Sequence, residues 1–189
     1  MLIDARARRI LLGAARWCIE RKLGRQSGSF VNPDAGPVLD EPRASFVTLR
    51  CRGELCGCIG TLEIERPLLQ DVMHNARAAA FHDPRFPPLD GAALDHLEIE
   101  ISVLSAIRPL VVGDRTALLR ALRPGTDGVV LEEAGQRATF LPSVWSTLPE
   151  PAAFMDALLE KAGLPAGHWS ARLRIFHYQT DSFHEDRTP

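Results

Sequence analysis

No stretch of this 189-residue sequence approaches the roughly 20 consecutive apolar residues that a bilayer span requires, and the N-terminal apolar run Ile10–Ala15 is closed at once by Arg16. Neither a transmembrane helix nor a signal peptide is expected. No sign of charge dominates: 22 Lys and Arg against 24 Asp and Glu leave a net charge of −2, which provides no global attraction for nucleic acid or an anionic membrane. Internal repeats and low-complexity tracts are lacking, which argues against solenoids and arrays. Cysteine is scarce. With no route to an oxidising compartment, Cys18, Cys51, Cys56 and Cys58 are expected to persist as free thiols in the cytoplasm.

What is present describes a packed globular protein. Hydrophobic residues make up 46% and charged residues 24%, ordinary proportions for a folded domain, and the length suits one domain. Charge is unevenly placed, however. The first 25 residues carry Arg6, Arg8, Arg9, Arg16, Arg21, Lys22 and Arg25 against only Asp4 and Glu20, so the first helix is basic.

Apolar residues from Ile3 to Cys18 recur at three- and four-residue steps and predict a helix running to about Gly24. Residues 26–43 read as a long surface loop. Ser45–Cys51 and Leu55–Leu62 predict a hairpin, and a helix follows from Pro67 until Pro84 forbids its continuation near Asp83. Leu97–Leu104 alternates with Glu98, Glu100 and Ser102 outward, the pattern of a one-sided antiparallel strand. A short helix at Ala117–Leu122, a second hairpin turning at Gly135, a helix at Pro151–Ala162 and a last strand at Leu173–Tyr178 complete the chain. Residues 180–189 are expected to be a loose tail. Adjacent hairpins with helices inserted between them indicate an α+β fold with a mainly antiparallel sheet and flanking helices.

Chemistry concentrates at the first hairpin. A two-residue turn at Gly53–Glu54 places Cys51 opposite Cys56 and Leu49 opposite Cys58, all on one face; a three-residue turn at Arg52–Glu54 leaves Cys56 and Cys58 on the other side. Cys58 is the candidate nucleophile, provided a neighbour lowers its pKa. The plainer reading makes it a small core hydrophobe. Gly57 and Gly60 remove side-chain bulk beside it and are candidate substrate-binding positions, although they would equally admit a neighbouring helix. In the stiff segment Asp83-Pro84-Arg85-Phe86-Pro87-Pro88, Asp83 and Arg85 are candidates too, Arg85 either offering its fork to an anionic ligand or pairing with Asp83 as a clamp. The glycine-bearing strand and this loop are expected to lie side by side and wall the principal groove. His74 reads as solvated, and His82 as the histidine nearer a groove. A zinc site from the three hairpin cysteines lacks standard spacing and a fourth ligand, so neither metal nor other cofactor is expected. The cluster His177, Asp181, His184, Glu185 and Asp186 reads as a solvated tail.

Three segments carry a resemblance. Phe46-Val47-Thr48-Leu49 leads into Leu55-Cys56-Gly57-Cys58-Ile59-Gly60; Asp83-Pro84-Arg85-Phe86-Pro87-Pro88-Leu89 precedes Ile99-Glu100-Ile101-Ser102-Val103-Leu104; and Phe140-Leu141-Pro142 precedes Lys161-Ala162-Gly163-Leu164-Pro165 and Trp169. In this order they resemble the AMME chromosomal region gene 1 protein family, whose prokaryotic members are called AmmeMemoRadiSam system protein A. Cys56 stands where the family signature has arginine, so the resemblance does not carry an anion-binding or substrate-orienting role over to that position. The resemblance implies two unequal lobes with a groove between them, and a working link to a Memo-like protein and a radical SAM enzyme. It implies no particular reaction.

Three functions therefore compete at this stage: an accessory, substrate-handling component of a modification system, a thiol enzyme using Cys58, and an RNA-binding module using the basic first helix.

Overall fold

A computed structural model describes residues 3–31 and 36–185. In chain order the elements are α1 (Ala5–Lys22), α2 (Pro37–Asp40), β1 (Ser45–Cys51), β2 (Glu54–Gly60), α3 (Leu68–Phe81), β3 (Leu97–Leu104), β4 (Arg108–Pro109), α4 (Arg115–Ala121), β5 (Gly128–Glu133), β6 (Gln136–Phe140), α5 (Pro151–Lys161), β7 (Arg174–Tyr178) and β8 (Thr180–His184). Short 3-10 turns occupy Ala93–His96 and Pro142–Ser146. The strands form two four-stranded sheets, ordered β2-β1-β3-β8 and β4-β7-β5-β6, with antiparallel pairing in both. The class is α+β, as the hairpin pattern predicts.

The chain divides into two compact units. One runs to Leu104 and takes in the segment from Asp181 onward; Ser105–Thr180 forms the smaller. In the larger unit the side-chain period of two sorts the sheet. Val47, Leu49, Ile99 and Ile101 lie fully buried, with Val47 opposite Ile101 and Leu49 opposite Ile99. They pack with α1 residues Leu11, Ala15 and Ile19 and α3 residues Val72, Ala76 and Ala79 into one core. Burying each large aliphatic side chain contributes about 1.5–3 kcal/mol. On the opposite face Thr48 pairs with Glu100 and Arg50 with Glu98.

Local signals set the helix ends. Asp4 caps α1, its Oδ1 accepting from Ala7 N–H at 2.8 Å, and α3 stops at His82, two residues before Pro84. A polar knot fixes α3 to β1. Buried Asp71 accepts at Oδ2 from the Ser45 N–H at 3.0 Å, the Ser45 hydroxyl at 2.7 Å and the Asn75 amide at 2.9 Å.

The smaller unit has its own core. Trp145 stacks on Phe154 at 3.8 Å between centroids and donates its indole N–H to the Asp127 carbonyl at 2.7 Å, over Val129, Leu131, Leu158 and Ile175.

Two expectations need correction. The loop expected over residues 26–43 contains α2, whose buried Leu39 joins the core; residues 32–35 lie outside the described residues. The segment expected to be a loose tail is strand β8 as far as His184. Asp181 accepts from the Ile3 N–H at 2.6 Å and from Arg8 at 2.7 Å, Phe183 is buried, and Glu185 accepts from Arg16 at 2.6 Å. Carboxylates that read as solvated are the partners of α1 arginines; residues 186–189, Asp186 among them, lie outside the described residues.

Candidate functional site

From Leu49 and Gly57 onward the hairpin follows the register of the three-residue-turn reading, with Cys58 on the face opposite Leu49, but its turn end is built differently from either reading. Its turn is Arg52–Gly53, with positive φ at both residues (56° and 81°), as a mirror-image two-residue turn demands. Cys51 then faces Glu54 and Arg50 faces Leu55, after which one residue is extra: Leu49 pairs with Gly57, leaving Cys56 as a bulge. The bulge decides the chemistry. It returns Cys56 to the side of Cys51, and the two sulfurs are bonded, with Cα atoms 5.8 Å apart, an ordinary separation for a disulfide. The expectation of four free thiols is thus corrected to two, Cys18 and Cys58.

Beyond the bulge Cys58 pairs with Thr48, on the sheet face opposite the helices. Cys58 is therefore half-buried on the polar side instead of sharing the core with Val47 and Leu49. Its Sγ lies 3.4 Å from the Thr48 hydroxyl. The buried cysteine is Cys18, whose thiol burial pushes up to about 11.

Asp83 and Arg85 close around Cys58. β2 is an edge strand, so the backbone of Cys58 has no further strand to bond. Instead its N–H donates to Asp83 Oδ2 at 2.9 Å, and its carbonyl accepts from the Arg85 guanidinium at 2.9 Å. The two side chains also grip each other: Arg85 donates from Nε to Asp83 Oδ1 at 2.9 Å and from its terminal nitrogen to Oδ2 at 2.7 Å. Asp83 additionally accepts the Arg85 backbone N–H at 3.1 Å, closing the Asx turn. The Arg85 hydrogen bonds, opposed by burial and helped by the Cys58 N–H, hold the Asp83 carboxyl down at about 2. Its side chain is 1% exposed, whereas that of Arg85 is 56% exposed. The β2 strand and the Asp83 loop therefore lie side by side, as expected, but the expectation that they wall the principal groove needs correction, since the cavity between α1 and α3 is lined by neither.

The two glycines have packing roles. A Cβ on Gly57 would collide with the Ala79 carbonyl of α3, and one on Gly60 with the Phe46 ring and the Ser45 carbonyl. Cys58, Gly57, Asp83 and Arg85 thus form one constellation, with Gly60 two residues further along the strand.

A separate feature was only partly legible. Between α1 and α3 opens a cavity of about 690 Å³ lined by neither the hairpin nor the Asp83 loop. His82 lines it, as the helix-end position indicates, and so does His74, which is solvent-exposed as its sequence position predicts.

Known proteins resemble this chain along nearly its whole length. A protein of Methanothermobacter thermautotrophicus is 35% identical over 182 residues, covering 94% of each chain. Protein MJ0810 of Methanocaldococcus jannaschii is 32% identical over 78% of this chain and 76% of its own. The crystal structure of protein PH0010 from Pyrococcus horikoshii superposes with a TM-score of 0.86 at 29% identity, covering 95% of this chain and 92% of that one. The family model AMMECR1 matches residues 12–183.

Proposed function

The chain belongs to the AMMECR1 family, and on that premise we propose that it is a cytoplasmic accessory component that handles substrate for a modification system containing a Memo-like protein and a radical SAM enzyme. Cys58 and its clamp are the handling surface. The observation that carries this reading is that side chains of Asp83 and Arg85 bind both polar backbone groups of Cys58. A thiol held this way is preorganised on the polar face of an edge strand, so presenting it to a partner costs little ordering entropy. The chain contributes position, and the partner enzyme contributes the chemistry.

A second reading makes Cys58 itself the nucleophile. It is favoured by the half-buried position of Cys58 on the polar face and by the Thr48 hydroxyl, 3.4 Å from its Sγ. The RNA reading is weakened because Arg8 and Arg16 are already neutralised by Asp181 and Glu185.

The test reconstitutes the chain with the Memo-like and radical SAM proteins of the same genome and follows co-elution and product. Association that survives Cys58→Ser but is blocked by a bulky maleimide on Cys58 supports the handling role. Intact association with complete loss of product in Cys58→Ser supports the thiol enzyme. No association with either protein, together with product formation indifferent to leaving the chain out, overturns the proposal.

A further inference from the structure

The α1–α3 cavity differs chemically from the Cys58 site. Among the described residues its lining includes Arg21, Lys22 and Arg77, together with His74 and His82, and no acidic side chain. The helical repeat explains the gathering: Trp17 and Arg21 stand four residues apart on α1, and His74 and Arg77 three apart on α3, so each pair projects from one face. Elsewhere on α1, Arg8 has Asp181 as counter-ion and Arg16 has Glu185. Among the described residues, Arg21, Lys22 and Arg77 have no carboxylate within ion-pair distance. Three permanent positive charges converging on one concavity repel each other, and low-dielectric walls focus their field into it.

The rest of the lining is apolar. Met73 and Trp17 contribute an apolar wall, and the Trp17 ring is braced by Phe30 at 5.8 Å and by the Arg21 guanidinium at 5.0 Å. Cys18 adds no negative charge, because its thiol stays protonated and donates to the Ala15 carbonyl at 3.1 Å. Volume is decisive for the class of ligand. About 690 Å³ falls in the range of small-molecule sites, roughly 300–1,000 Å³, and far exceeds what a lone inorganic anion fills. Three cations exceed the charge of a single carboxylate and match a polyphosphate, which arginine forks bind bidentately.

We propose that the α1–α3 cavity binds a nucleotide, its phosphates on Arg21, Lys22 and Arg77 and its base against Trp17. This inference uses none of the Cys58 constellation, so it stands or falls separately from the proposed function. The two sites do share one helix end, since His82 lines the cavity and the next residue, Asp83, holds Cys58.

Calorimetric titration of the full chain with ATP, inorganic phosphate and a short single-stranded oligonucleotide tests it. We expect one ATP per chain, affinity falling at least about tenfold in Arg77→Glu, a similar fall when salt rises from about 0.05 to about 0.5 M, and much weaker binding of phosphate alone. Cys58→Ser is expected to bind as the parent does. Thermal melting of Arg77→Glu confirms that it is folded, and Arg21→Glu repeats the measurement from the other helix. Failure of ATP to bind at about 1 mM, undiminished binding in both charge-reversed variants, or equal affinity for phosphate would overturn the assignment. So would an oligonucleotide that binds more tightly than ATP, since that would make the surface part of a nucleic-acid track.

Discussion

Asp83 sits in an environment that its sequence neighbours announce only in part. It is buried, accepts the Cys58 N–H and is doubly held by Arg85, which together keep its carboxyl at about 2. Because the folded value lies below the ordinary one of about 3.9, this carboxylate stabilises the fold fully above that ordinary value and loses its contribution as pH falls through 2. Between about pH 4 and pH 2, acid unfolding of Asp83→Asn should therefore be shallower than that of the parent, as chemical denaturation across that window would show. At neutral pH, Asp83→Ala removes the charged partner of the half-buried Cys58 N–H, costing about 1–3 kcal/mol. Arg85→Ala removes a half-exposed partner whose interactions solvent screens, so a smaller loss is expected, a fall in melting temperature of about 2–5 °C. An unchanged melting temperature would mean that the clamp does not stabilise the fold; loss of partner binding in that same variant would assign Arg85 to a ligand. The Asp83–Arg85 pairing was one of two readings open in the sequence. The bonds to the Cys58 backbone were invisible there, because they depend on β2 being an edge strand.

Among the elements, the first hairpin shows how one residue of register outweighs composition. Gly53 marked the turn correctly, but nothing in the residue types announced that non-glycine Arg52 would also take a positive φ, a conformation costing roughly 1–2 kcal/mol. That shift and the bulge at Cys56 move Cys58 to the Thr48 face and bring Cys51 to Cys56. Alkylating the protein unfolded in denaturant without reductant should label two thiols, Cys18 and Cys58, and reduction beforehand should raise the count to four. Four labels without reductant would restore the free-thiol expectation. Longer periodic elements were legible almost to the residue: β3 runs Leu97–Leu104, and α3 ends just before the Asp83-Pro84 stop. The glycines divide similarly. Gly57→Ala drives a methyl group into the Ala79 carbonyl, and overpacking of this kind costs about 1–3 kcal/mol. Gly13 sits inside α1 with open space where a Cβ would point, so Gly13→Ala should stabilise by about 0.5–1 kcal/mol. Urea melts of the two variants should shift in opposite directions.

At the scale of the whole molecule, the order of elements conceals a nested arrangement. The sequence pattern indicated an α+β chain, but it did not show that the segment after Tyr178 returns to the first sheet, because β8 is short and its five residues are mostly polar. What recruits β8 is contact distant in sequence: Asp181 to Ile3 and Arg8, Ser182 to Ser102 at 2.9 Å, Glu185 to Arg16. The smaller unit is consequently an insertion between neighbouring strands β3 and β8 of the larger one. Its ends are close: the Ser105 N–H donates to the Gln179 carbonyl at 2.8 Å, and the Gln179 N–H donates to the Ser105 hydroxyl at 2.9 Å. A turn of two residues can bridge such a pair in an antiparallel hairpin. Replacing residues 106–178 by Asn-Gly should therefore leave a chain that folds cooperatively, because α1, α3 and the β2-β1-β3-β8 sheet bury their apolar faces against one another. The larger unit falls well within the size at which domains fold alone. Thermal denaturation followed by circular dichroism should give one sigmoidal transition, and Cys58 should keep the alkylation rate that it has in the full chain. A non-cooperative melt, or a Cys58 that reacts as fast as an unfolded peptide thiol, would show that the first sheet needs the inserted unit to hold β8 in place.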